Sequence, residues 1–169
     1  MQLHLTEAQY AALIHNLTKR YEQRLNLGFE LEKLPQDDAT GALFRKSRQQ
    51  IDDVFQAAQT ELLGQAGYAR FEFYERSALL RNFVDAWAGN AAVAGTPITA
   101  VQADALIAAM AAASRQGPPG TQAQMQGIDW PVVLARAEQV LATPQLAAFR
   151  NAAIPYWNMD RLRELALQK

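Results

Sequence analysis

The sequence predicts an all-α fold: a helical bundle of five to seven helices with a long N-terminal antiparallel hairpin and a central, strongly apolar helix. Three observations carry this. Apolar residues recur every three or four positions and nowhere alternate with polar ones over the length of a strand. Helix starts are complete, with a capping threonine and a glutamine three residues on, and the apolar series end at proline or glycine. The stretch Gly67 to Val93, GYARFEFYERSALLRNFVDAWAGNAAV, carries two overlapping apolar series, Phe71, Tyr74, Ala78, Phe83, Ala86 and Phe73, Leu80, Val84, Trp87. A helix apolar over most of its circumference is buried on more than one side. This one is expected to be the centre on which shorter helices pack, or the core of a helical dimer.

Helix 1 starts at Leu5-Thr6-Glu7-Ala8-Gln9-Tyr10, where Thr6 caps, Gln9 bonds back to the cap and Leu5 can staple onto Tyr10. Tyr10, Leu13, Ile14, Leu17, Tyr21, Leu25 and Gly28 make one stripe towards Leu34, and Pro35 with Gln36-Asp37-Asp38 stops it. Helix 2 starts near Asp38 or Thr40 and carries Leu43, Phe44, Ile51, Val54, Phe55, Ala58 and Leu62 to a stop at Gly64. The short turn pairs the two as a hairpin. Folding about residue 36 sets Lys19 and Arg20 opposite Asp53 and Asp52, and Arg24 opposite Arg48.

Gly64 to Gly67 breaks the chain before the central helix, whose small-residue end, 88–95, is expected to fray. Thr99, with Gln102 as its reciprocal partner, opens an alanine-rich helix reaching about Arg115, and Gly117-Pro118-Pro119-Gly120 ends it. Thr121 to Gly127 reads as a loose polar loop. Asp129-Trp130-Pro131 caps the next helix, with Val133, Leu134, Ala137 and Leu141 inward. Thr143-Pro144 restarts a helix through Leu146, Phe149 and Ala153. Pro155 is expected to kink or break it, and Asp160 to cap a short last helix with Leu162, Leu165 and Leu167. Start signals repeat, but no tandem structural repeat is visible.

A chain of 169 residues fits a single helical domain: the hairpin 1–64, central and alanine-rich helices 65–116, a loop 117–128 and short C-terminal helices 129–169. Lys and Arg number 16 against 17 acids, so nothing calls for nucleic acid or an anionic surface as partner. No cysteine is present, which excludes disulfides, thiol catalysis and thiolate metal sites. No apolar run is long enough to span a bilayer, and MQLHLTEAQ reads as no export signal.

Catalytic signatures fail one by one. His4 and His15 lack the spacings of di-iron or zincin sites, so no metal ligand and no cofactor is assigned. Ser47, Ser77 and Ser114 sit in no nucleophile elbow, and Gly64-Gln65-Ala66-Gly67 lacks the lysine and strand of a phosphate loop. Asp37-Asp38, Asp52-Asp53 and Glu72 with Glu75 read as solvated ion pairs, and Lys19, Arg20, Arg24, Arg45, Lys46 and Arg48 as part of a mixed surface. An enzyme is therefore not expected. The aromatic cluster around Phe73 and Trp87, and the segment Ile154-Pro155-Tyr156-Trp157-Asn158-Met159, supply the candidate contacts for a partner or ligand: Phe73, Trp87, Tyr156 and Trp157.

Leu5-Thr6-Glu7-Ala8-Gln9 and Ile98-Thr99-Ala100-Val101-Gln102 resemble the LTxxQ motif that occurs twice in the periplasmic Spy and CpxP family, and LATPQ, Leu141 to Gln145, echoes it. The resemblance implies an all-helical, cradle-like homodimer acting as an ATP-independent chaperone or envelope-stress regulator. Residue by residue it implies only that Leu5, Thr6, Gln9 and Ile98, Thr99, Gln102 set helix starts. The functional expectation is thus a non-enzymatic binding or regulatory protein of the bacterial envelope, periplasmic or extracytoplasmic, with the cytoplasm as the alternative. It would be a homodimer offering apolar inter-helix surface to a protein client or hydrophobic ligand. The alternatives are a homodimeric scaffold domain, whose apolar faces are used in self-association, and a small-molecule or lipid sensor.

Overall fold

The structure is a computed structural model describing residues 5–35, 37–114 and 123–167. Among them are six α-helices and no strand: α1 Glu7–Leu31, α2 Asp38–Arg76, α3 Ala78–Val93, α4 Ala100–Ala113, α5 Trp130–Val140 and α6 Thr143–Leu167. The all-α class and the number of helices match the sequence expectation. The chain forms two compact units, Met1–Phe73 and Tyr74–Lys169.

In the first unit α1 begins with the expected capping box. The Gln9 amide donates to Thr6 Oγ1 at 3.2 Å, and the Thr6 amide donates to Gln9 Oε1 at 3.0 Å. Asp37 caps α2, accepting from the Thr40 amide at 2.8 Å. The hairpin is antiparallel, and its contacts, Gln9 to Leu62 near one end and Arg24 to Asp52 near the other, are those of a fold close to residue 36. Arg24 pairs with Asp52, and Arg20 lies over the Phe55 ring, 3.9 Å from its centroid. Leu13 and Leu17 pack around Phe55 between the two helices.

Gly64, at φ 68° and ψ 167°, breaks α2 in a conformation that a side chain would strain. A continuous helix would hold Phe55 and Phe71 roughly 24 Å apart, yet their ring centroids lie 6.0 Å apart. The chain therefore doubles back at Gly64. Phe71 joins Leu13 and Phe55 in a core flanked by Leu5, Leu17, Leu62, Leu63 and Tyr68. Leu5 thus packs on this core, whereas Tyr10, its expected staple partner, is mostly exposed.

The expected central helix is divided. It is interrupted at Ser77, whose hydroxyl accepts from Arg81 Nη1 at 2.8 Å. Phe71, before the break, is buried in the first unit, while Leu80, Val84, Trp87 and Ala91, after it, are buried in the second. The stretch serves two cores in turn: its first part, with Phe71, packs in the first unit, and the part after Ser77, with Phe83 from one apolar series and Leu80, Val84 and Trp87 from the other, packs in the second.

In the second unit α3 ends without fraying. Gly95, at φ 77°, closes a Schellman motif in which the Thr96 amide donates to the Ala91 carbonyl at 2.8 Å and the Gly95 amide to Ala92 at 3.1 Å. Helix α4 packs against both α3 and α5, and α6 against α3 and α5. The described part of the expected loose loop is tied down: Ala123 is buried and its amide donates to the Arg76 carbonyl at 2.8 Å. Residues 115–122, with Gly117-Pro118-Pro119-Gly120, lie outside the described residues. Helix α6 runs through Pro155 to Leu167, so no separate helix begins at Asp160. Proline removes one amide donor and crowds the preceding turn, but an exposed position lets water bond the freed carbonyl.

The two units repeat one device that the sequence showed only as repeated start signals. Leu5-Thr6-x-x-Gln9 with Ala12-Leu13-Ile14 recurs at the same spacing as Ile98-Thr99-x-x-Gln102 with Ala105-Leu106-Ile107. Each glutamine caps its own helix and then reaches a carbonyl at the corner following the next helix. Gln9 Nε2 donates to Leu62 at 3.5 Å, and Gln102 Nε2 to Val140 at 2.8 Å. The series Phe55, Gln59, Leu62, corner, Tyr68, Phe71 has as its counterpart Val133, Ala137, Val140, corner, Leu146, Phe149. In the second unit the clasp is reciprocal: Gln145 Nε2 donates back to Pro97 at 2.6 Å, and Gln102 Nε2 also donates to Gln145 Oε1 at 3.2 Å. Gly67 occupies the corresponding place in the first unit, where an added Cβ would fall 2.9 Å from that of Leu63.

Candidate functional site

Of the four residues expected to form a contact site, Phe73 belongs to the first unit and Trp87, Tyr156 and Trp157 to the second. Trp87 is buried in the second unit, edge-on to Phe149 with centroids 5.0 Å apart. Tyr156 is half-buried, stacked against Trp130 at 6.2 Å and edge-on to Phe83 at 5.5 Å. Trp157 faces outward from the same helix. Phe73 is the half-buried last residue of the other unit.

The rings of Phe83, Trp87, Trp130, Phe149 and Tyr156, drawn from α3, α5 and α6, form a continuous aromatic core. Edge-to-face packing sets positive ring edges on negative faces, which adds to the gain from burial. The indole N–H groups of Trp87 and Trp130 are buried in it without a hydrogen-bond partner. The first unit also buries Gln59, with neither amide atom bonded, at the position where the second unit has Ala137.

A different surface stands out, one that the sequence reading counted as buried. The apolar residues of α1 divide into two faces. Leu13 and Leu17 turn inward with Arg20 and Arg24. Tyr10, Ile14, Tyr21 and Leu25 fall within an arc of about 60° at 3.6 residues per turn, and they are 59, 44, 67 and 45% exposed. Phe29 stands on the shoulder of this arc, and α2 adds exposed Leu43, Phe44 and Val54. The signal missed was the width of the stripe: Tyr10, Ile14, Tyr21 and Leu25 run beside the Leu13, Leu17 series, about a quarter-turn round the helix.

The charged groups here are ordinary surface and capping groups. Arg24 with Asp52, Lys33 with Glu30 and Arg150 with Glu138 form ion pairs, and Asp53 accepts from Gln49 at 2.7 Å. The Thr40 backbone amide bonding to Asp37 holds that carboxyl below the usual carboxylate range. His15 is exposed on α1, and His4 lies outside the described residues. Among the described residues no three acidic or histidine side chains converge as a metal site, and no helix is long and apolar enough to cross a membrane. No protein-family model, curated protein or solved structure matches this chain.

Proposed function

We propose that the protein is a non-enzymatic binding protein whose working surface is the outer face of α1. The observation that carries this is the row Tyr10, Ile14, Tyr21, Leu25, four large apolar side chains left open on one helical face. Such a row rimmed by polar residues is costly to leave in water, and its usual use is to receive another apolar surface. Spacing of three and four residues suits a partner helix laid along it. Tyrosine suits a face that is wet when free and covered when bound, because its ring is apolar and its hydroxyl is content in either setting.

The test uses fluorescence of a hydrophobic dye at the lowest workable protein concentration. The unmodified chain should brighten the dye, and the double substitution Tyr21→Lys with Leu25→Lys should remove most of the signal while helical content stays the same. A chain that leaves the dye dark at every concentration has no such surface to offer, and the proposal is then wrong.

A further inference from the structure

The two units show what the outer face of α1 lacks. In the second unit α4, which shares the start signal and the Ala-Leu-Ile run of α1, is covered by α5 on one side and α3 on another. Ile107, the counterpart of Ile14, is only 6% exposed there, and Ser114, the counterpart of Tyr21, is buried as well. Among the described residues the first unit has helical segments in the places of α5 and α6, and the outer face of α1 stays open. The residues differ accordingly. Where α1 carries Tyr10, α4 has Ala103, small enough for close approach, and at the place of Tyr21 the extended residue Ser114 follows the end of α4.

We infer that a second copy of this chain supplies the missing cover, the two α1 helices packing antiparallel about a two-fold axis between Leu17 and Thr18. This rests on the reading of that face as the binding surface and names its partner. The row is palindromic about that point. Tyr10 and Leu25 are equally far from it, and so are Ile14 and Tyr21. A two-fold axis therefore sets Tyr10 against Leu25 of the second copy and Ile14 against Tyr21, both twice over, as an isologous interface requires. No charged residue interrupts the row between Tyr10 and Gly28. Glu7 and Glu32 stand at its two ends, and Glu7 comes opposite Gly28 of the second copy, not opposite a like charge.

The area is sufficient. At the observed exposures, Tyr10, Ile14, Tyr21, Leu25 and Phe29 offer on the order of 500 Å² of apolar surface, taking 150–250 Å² for a whole aromatic side chain. With the polar rim beside them, two copies reach the range of roughly 1,200–2,000 Å² that specific interfaces bury.

The experiment measures mass by sedimentation equilibrium from nanomolar to high micromolar, with dye fluorescence on the same samples. The expected result is a rise from 18.7 kDa to twice that mass, with dye signal falling in step. Ile14→Glu and Tyr21→Lys should each raise the dimer dissociation constant on the order of 100-fold, a charge having entered an apolar contact. Mixing the two variants should restore dimers, because the antiparallel register sets Glu against Lys at one contact and leaves Ile14 against Tyr21 intact at the other. Circular dichroism of each variant checks that the exposed substitutions leave the helices formed. A chain that stays monomeric yet binds dye overturns this inference and leaves the binding surface standing, its occupant another protein or the chain's own second unit. A monomer dark to dye overturns both. A dimer that survives both substitutions, or variants that fail to rescue each other, overturns the α1 pairing.

Discussion

Helices α1 and α4 open with the same capping box and carry Leu and Ile at the same two positions, but they end in different surroundings. In α4, Leu106, Ile107 and Met110 are all buried, because α3 and α5 enclose it. In α1 only the inward series is covered, and the Ile14 row is open. The same local sequence thus gives a core helix in one unit and a surface helix in the other. What differs is the cover: α4 has α3 just before it and α5 after it packed against it, whereas the outer row of α1 stays exposed.

The corners differ in the same sense. Around Gln102 and Gln145 each side chain caps its own helix and satisfies an orphan carbonyl of the other corner strand, so two helix ends are locked together. Around Gln9 only one arm exists, and its bond to Leu62 is long. The first unit also keeps Gln59 buried and unbonded where the second has alanine. On both counts the first unit is the less complete of the two.

Four substitutions would break or sharpen this contrast. The largest effect is expected from Phe149→Ala, which empties the centre of the aromatic core. It should cost about 4 kcal/mol, whereas Phe71→Ala, at the equivalent place beside the smaller core, should cost nearer 3 kcal/mol, both read by chemical denaturation. Next, Gln102→Ala removes a capping bond and the bonds to Val140 and Gln145, leaving Gln145 on Pro97, and should lower stability by about 2 kcal/mol, while Gln9→Ala should lower it by about 1 kcal/mol. Equal losses would mean that the reciprocal bonds add nothing. Gln59→Leu should move the other way and stabilise the chain by about 1 kcal/mol, since it removes a buried amide with no partner. If it destabilises, that amide is bonded in solution.

The smallest effect concerns pH. Asp37 has its pKa lowered by the Thr40 amide that it caps. Its contribution to the start of α2 is present above the usual carboxylate range and fades as pH falls through the lowered value. Asp37→Asn, which keeps the cap and loses the charge, should therefore flatten the acid limb of amide exchange in the first turn of α2 and leave neutral pH almost unchanged.

Much of the fold was legible in local chemistry. Thr6 with Gln9, Thr99 with Gln102, Asp129 before Trp130-Pro131 and the stop at Gly64 each depend on residues within a turn of one another, so the sequence shows them directly. Three things were hidden, each because it depends on what packs where. The Gly67 to Val93 stretch reads as one doubly buried helix, because nothing local tells that Phe71 and Leu80 serve different cores. The repeat was hidden because it keeps only capping and core positions, with tyrosine facing alanine at Tyr10 and Ala103. The open row on α1 was hidden because apolar periodicity marks a face to be covered without naming what covers it. Of the candidate contacts, Trp87 lies in the core edge-on to Phe149, and Tyr156 reaches the same rings through Phe83 and Trp130, a link that spacing along the chain does not show.

The most direct measurement is amide hydrogen exchange of α1 and α4, followed at protein concentrations from well below to well above the expected association range. Exchange in α4 should be slow and independent of concentration, since its cover is part of the same chain. Exchange in α1 should start faster and slow as concentration rises, because association adds to the stability of the helix it covers. If α1 exchanges as slowly as α4 at the lowest concentration, or is indifferent to concentration throughout, the outer face of α1 is not awaiting a second copy.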